Sequence, residues 1–91
     1  MLIAYRDIAD FVPVKISGVV KDLFTDQPVS GVHVFHVKGE DESFTNEKGE
    51  FVISTWQQLP VMITTEHQFF KSTTVIISDI QTGIVISLKT K

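Results

Sequence analysis

An all-β domain of about seven strands, arranged as a Greek-key β-sandwich, is what this sequence predicts. Three observations carry the prediction. Apolar and polar residues alternate with a period of two almost everywhere, as they do along strands with one buried face. Turn residues recur roughly every 8–12 positions, the spacing of a sandwich. Three strand-plus-turn units also follow one another in a fixed order through the first two-thirds of the chain.

Val14, Ile16, Gly18 and Val20 make the apolar face of a first strand, alternating with Lys15, Ser17, Val19 and Lys21. Residues 23–27 break the alternation, and Asp26-Gln27-Pro28 is a turn in which Pro28 fixes φ at the entrance to the next strand. There Val32 and Val34 face one way, and His33, Phe35 and Val37 the other. Gly39-Glu40-Asp41-Glu42 reads as an acidic loop. A short strand over 43–45 and a longer one over 50–55 flank Asn46-Glu47-Lys48-Gly49, which reads as a hairpin turn with Gly49 at positive φ. Phe51 and Ile53 then point inward. Leu59-Pro60 opens a strand with Val61, Ile63 and Thr65 on one face. Residues 70–77 are β-branched and aromatic, and 83–90 close the set with Ile84, Ile86 and Leu88 inward. Residues 1–13 fit less well: Ala4, Ile8, Phe11 and Val12 have the spacing of one or two helical turns, ended by Pro13. The expected organisation is an N-terminal stub or linker over 1–13 and a sandwich over 14–91.

Composition limits the function classes. Ninety-one residues make one domain near the lower end of what buries a self-sufficient core, and with no cysteine the core alone must hold it. A formal charge of −3 with scattered basic residues argues against nucleic acid as a partner, because phosphates need clustered Lys and Arg. No apolar run approaches the ~20 residues that span a bilayer, so the chain is not itself expected to be membrane-spanning. The first residues lack the basic and continuous apolar regions of a secretory signal.

The residues offer little for catalysis. A nucleophile needs a base and an orienting group, and the serines lie in strands or turns without an elbow sequence. No catalytic residue, metal site or cofactor is therefore assigned. His33 and His36 would fall on opposite faces of a strand unless it bulges, and Glu40-Asp41-Glu42 lacks the alternating ligand spacing of a calcium loop. Ligand recognition rests on aromatics. Phe35 is placed on an outer face, and Trp56 follows a strand beside Gln57 and Gln58, so a binding surface would comprise Trp56, Phe35, Gln57 and Gln58. Tryptophan's usual burial favours an edge-packing role for Trp56 over a ligand platform. The neighbouring edge strand is a place for a partner strand to add.

Gly18-x-Val20-x-Asp22, then Pro28-Val29-x-Gly31-Val32-x-Val34, then Thr45-Asn46-x-x-Gly49-x-Phe51 resemble the carboxypeptidase regulatory-like domain family over residues 14 to about 77. Three departures stand out: Asn46 for the usual Asp, Val32 for a small Ala, and Gln68-Phe69 or Phe69-Phe70 where the family has a Gly-Tyr pair. The resemblance implies a transthyretin-like (prealbumin-like) sandwich and a non-catalytic accessory, interaction or spacer module. Such modules belong to larger bacterial cell-envelope proteins, among them TonB-dependent transporters, carboxypeptidases and surface proteins. Expected partners are other domains of a parent protein or an envelope protein, and the expected place is periplasmic, outer-membrane-associated or extracellular. The hydrolase branch of the fold, the 5-hydroxyisourate hydrolases, carries a C-terminal Tyr-Arg-Gly-Ser that this chain lacks. The chain also resembles pilin sandwiches with isopeptide cross-links; Lys15 or Lys21 would serve there, but residues 83–91 hold neither Asn nor Asp. A small-molecule or carbohydrate-binding module remains the alternative.

Overall fold

The computed structural model describes residues 13–79 and 83–91, and within them the chain is all-β. Seven strands form: β1 (Val14–Asp22), β2 (His33–Val37), β3 (Asp41–Phe44), β4 (Glu50–Thr55), β5 (Val61–His67), β6 (Phe70–Ile77) and β7 (Ile84–Leu88). They build a three-stranded sheet in the order β4-β1-β7 and a four-stranded sheet in the order β3-β2-β5-β6. The chain changes sheet between β1 and β2, β3 and β4, β4 and β5, and β6 and β7, the crossings expected of a Greek-key sandwich. The helical turns expected within residues 1–13 lie outside the described residues, apart from Pro13.

The alternation read from the sequence is the alternation of burial. Ile16, Val20, Val32, Val34, Ile53 and Ile63 are completely buried, joined by Phe51, Val61, Ile77, Ile86 and Leu88 in one cluster between the sheets. Each fully buried Val or Ile side chain contributes about 1.5–3 kcal/mol relative to exposure. Gly18 is required by close approach: β1 and β7 run parallel, and a Cβ at this position would lie 2.2 Å from the Ile84 carbonyl oxygen.

The three sequence units meet at one corner. Val20 N–H donates to Gly49 O at 2.8 Å, Val29 N–H to Val20 O at 3.0 Å and Gly31 N–H to Thr45 O at 2.9 Å. The buried Thr45 hydroxyl donates to Val29 O (2.7 Å) and accepts from Val32 N–H (2.9 Å). Asn46 Oδ1 accepts from the N–H groups of Lys48 and Glu50, both at 2.9 Å, which a carboxylate would do equally, while its Nδ2 donates to Glu50 Oε1 at 3.0 Å. These residues specify architecture, and the corner they build is packed closed: Gly49, at φ 73°, would bring a Cβ to 2.5 Å from Val20 O.

Two local expectations change. Asn46-Glu47-Lys48-Gly49 is no two-stranded hairpin, because β3 pairs with β2 and β4 with β1; the tetrad carries the chain from one sheet to the other. Asp41 and Glu42 are strand residues rather than loop, paired with Val37 and Phe35. The register between them shifts by one residue at His36, a β-bulge that sequence alternation cannot reveal.

Candidate functional site

Strand pairing sets the outer face of the four-stranded sheet in rows, since directly opposed residues share a face. One row reads Phe44, His33, Glu66; the next reads Glu42, Phe35, Thr64, Thr74; Met62 and Ile76 stand opposite each other in a third. His33 stacks on Phe44 with ring centres 4.5 Å apart and planes 7° from parallel, and tilts against Phe35 at 4.8 Å. From the turn beyond the bulge, Lys38 reaches back over the sheet. Its Nζ lies 5.2 Å from the Phe35 ring centre and 2.9 Å from Glu66 Oε1. A cation in this position is attracted by the ring face.

Glu42 anchors the cluster. Its Oε1 accepts from Gly39 N–H at 3.0 Å and pairs with His33 Nε2 at 2.6 Å. The backbone N–H of Gly39, then the hydrogen bond from His33, hold the Glu42 carboxyl below its ordinary value; desolvation opposes them, and the charge of His33 lowers it least. The bulge meanwhile sends His36 elsewhere, where Nδ1 donates to Met62 O at 2.9 Å. His67 Nδ1 accepts from Phe69 N–H at 3.1 Å and shapes the β5–β6 turn at the point where the resembled family has Gly-Tyr. The three imidazoles thus have three separate settings. Among the described residues no group of three or more His, Cys, Asp or Glu could share a metal ion.

Of the residues singled out from sequence, Phe35 lies on the outer face as expected but is only 8% exposed, so it is no contact aromatic. His33 and Lys38 cover it, making a small apolar island on the solvent side. Trp56 is the reverse case. Expected to pack at an edge, it is 67% exposed in the β4–β5 connection, with Gln57 and Gln58 exposed beside it. The structure does not join Phe35 and Trp56 into one platform: Trp56 makes no ring contact among the described residues, whereas Phe35 belongs to the His33 cluster. Sequence reasoning missed Phe44, 63% exposed at the rim of that cluster. Its partner His33 was named only as a metal candidate, and their pairing across β2 and β3 required the register.

A depression of about 620 Å³ follows β4, with Ser17, Val19, Phe44, Glu50 and Val52 among its lining. Glu50 is the ionisable side chain among its described lining residues, and Asn46 engages it, so no nucleophile–base pair is assembled there. Lys15 is exposed on the outer face of β1, and Lys21 lies 3.8 Å from Asp26, away from the buried setting a cross-linking lysine needs. Among the described residues no helix is long and apolar enough to cross a membrane. No protein-family model matches the sequence, and no curated protein matches it significantly.

Proposed function

We propose that this domain is a non-catalytic interaction or spacer module, an accessory part of a larger bacterial cell-envelope protein such as a TonB-dependent transporter or a surface protein. The carrying observation is the distribution of its exposed apolar side chains. Phe24, Phe44, Trp56, Met62, Phe69 and Ile76 are each more than half exposed, and they lie in several loops and across a sheet face; of these six only Phe44 borders the depression along β4. Apolar surface spread in this way suits a body with neighbours on more than one side. The resemblance of the three knitted segments to carboxypeptidase regulatory-like domains supports the envelope setting and the transthyretin-like reading of the sandwich.

The surface we assign to a partner is the rim formed by Phe44 on the His33–Phe35–Lys38 island, a rigid aromatic edge beside the Glu42 and Glu66 carboxylates. A photo-crosslinking amino acid at Phe44, in the cell the protein comes from, should give a discrete adduct with an envelope protein or a neighbouring domain. The same probe at Ser54 on the outer face of β4 should give none. Equal labelling at both positions, or none at Phe44, would refute this assignment.

One observation favours a second reading as a small-molecule or carbohydrate binder: Trp56 stands exposed with two amide side chains next to it. Retention on a polysaccharide that is lost in Trp56→Ala would establish that reading, and no retention on a broad glycan set would remove it.

A further inference from the structure

Two turns and the residues that follow β7 meet at one end of the sandwich. Leu23 N–H donates to Leu88 O at 2.8 Å, which lays the β1–β2 connection against the end of β7. Residues 89–91 then run beside the start of β6. Phe70 stands opposite Thr90, Lys71 N–H donates to Lys89 O at 2.8 Å, and Lys91 N–H donates to Phe69 O at 3.0 Å. Leu23 is thus level with Leu88, and Phe69 with Lys91, about 10 Å apart along the strand direction. Each turn presents an exposed phenylalanine, Phe24 at 75% and Phe69 at 63%. Both are held in place: Asp22 Oδ1 accepts from the N–H groups of Phe24 (2.8 Å) and Thr25 (3.2 Å), and His67 Nδ1 from that of Phe69. Between the two tips the pairing sets Lys71 directly opposite Lys89, with Lys91 two residues on, all three exposed. Like charges directly opposed across strands are destabilising. None of these lysines has an ion-pair partner among the described residues. The carboxylates of the same elements are already engaged, Asp22 in its turn, Asp26 with Lys21 at 3.8 Å and Glu66 with Lys38 at 2.9 Å.

We propose that this end of the sandwich docks on a bilayer surface bearing anionic lipid, with Phe24 and Phe69 at the boundary of headgroups and acyl chains and Lys71, Lys89 and Lys91 against the lipid phosphates. The mixture of side chains selects this occupant. The core of a protein interface is depleted of lysine, whereas a membrane-surface site combines apolar side chains with it. An anionic surface also relieves the repulsion between Lys71 and Lys89. Each lysine close to such a surface strengthens binding about fivefold. The chain's formal charge of −3 does not oppose this. Glu40 and Asp41 lie at the far end of β2 and β3, and charges act through solution over only about 8–10 Å. The docking residues are not those of the Phe44 rim, so either assignment can fail alone.

Flotation of the full chain with vesicles of phosphatidylcholine and phosphatidylglycerol in equal parts tests the docking. Binding is expected, weakening as salt rises and at least about tenfold weaker on phosphatidylcholine alone. Phe24→Ala combined with Phe69→Ala, at exposed positions where circular dichroism can confirm folding, should weaken it at least about tenfold. Lys71→Glu combined with Lys89→Glu should do the same. Trp56 lies at the opposite end of the sandwich, next to Thr55 and the start of β1, and should stay open to acrylamide on the vesicles. In a Phe24→Trp, Trp56→Phe variant the indole should instead become protected and its emission shift to the blue. No flotation at about 1 mM lipid overturns the proposal and leaves a protein as the partner of this end. So does binding indifferent to the paired phenylalanine changes, or binding that protects Trp56 instead of the Phe24→Trp indole.

Discussion

Thr45→Val is the sharpest test of how the corner is held. The change keeps shape and volume nearly constant while removing one hydroxyl that serves two backbone groups, Val29 O as acceptor and Val32 N–H as donor. Val32 is fully buried and Thr45 nearly so, which leaves water little access to the stranded Val32 N–H, whereas Val29 is only partly buried. Orphaning the buried Val32 N–H costs about 1–3 kcal/mol and losing the bond to the partly buried Val29 O about 1 kcal/mol, so the expected loss is roughly 2–4 kcal/mol. The better packing of a methyl group offsets only part of this. For a domain of this size a loss of about 3 kcal/mol lowers Tm by roughly 12–24 °C. Urea unfolding followed by far-ultraviolet circular dichroism reads the change, with an unaltered slope showing that the unfolded state is unchanged. Thr45→Ser, which keeps the hydroxyl, should lose no more than about 1.5 kcal/mol. A Thr45→Val variant within about 0.5 kcal/mol of the parent would refute the claim that this hydroxyl joins the three segments.

Gly18→Ala should cost more than about 3 kcal/mol or prevent folding, because the Ile84 carbonyl that its Cβ meets is backbone and cannot rotate away; a folded protein of near-parental stability would contradict the close β1–β7 approach. Glu42 has its folded carboxyl below the ordinary value, so the unfolded chain binds its proton first on acidification. Its stabilisation is therefore present above the ordinary carboxylate pKa of about 4.3 and is lost as pH falls through the lowered folded value. Denaturation midpoints from pH 6 down to about 3 should accordingly fall less steeply in Glu42→Gln, and parallel curves would count against the Gly39 and His33 contacts. Trp56→Ala should change stability by less than about 0.5 kcal/mol, and the single tryptophan should be quenched by acrylamide as readily as the free amino acid; a protected, blue-shifted emission would show it covered.

What the sequence disclosed follows from what is local. Period-two alternation placed Ile16, Val20, Phe51, Ile53, Val61 and Ile63 inward because one buried face enforces it along each strand. The same rule had no means of telling which strand lies beside which. Hence Asn46-Glu47-Lys48-Gly49 read as a hairpin, although its flanking strands belong to different sheets. The candidate site was harder still. Phe35 is covered by Lys38 only because the bulge at His36 changes the direction of the chain beyond it, and its cover includes His33 from its own strand. Phe44 became visible once β3 was in register with β2. Trp56 was misjudged on the average behaviour of tryptophan, which carries no information about a connection that leaves this side chain 67% exposed.

The parallel pairing of β1 with β7 has a mechanical meaning. These are the first and last strands among the described residues, matched from Gly18–Ile84 to Asp22–Leu88, and the chain enters β1 and leaves β7 at opposite ends of the pair. Tension applied through those two ends draws the strands past each other along their length. The interstrand bonds are then loaded side by side in shear and cannot be opened one at a time like a zipper. A unit strung between neighbours would bear load through this pair, and single-molecule pulling from Val14 and Leu88 should require clearly more force than pulling from Val14 and Trp56, where the antiparallel β1–β4 ladder can peel from its Val14–Thr55 end.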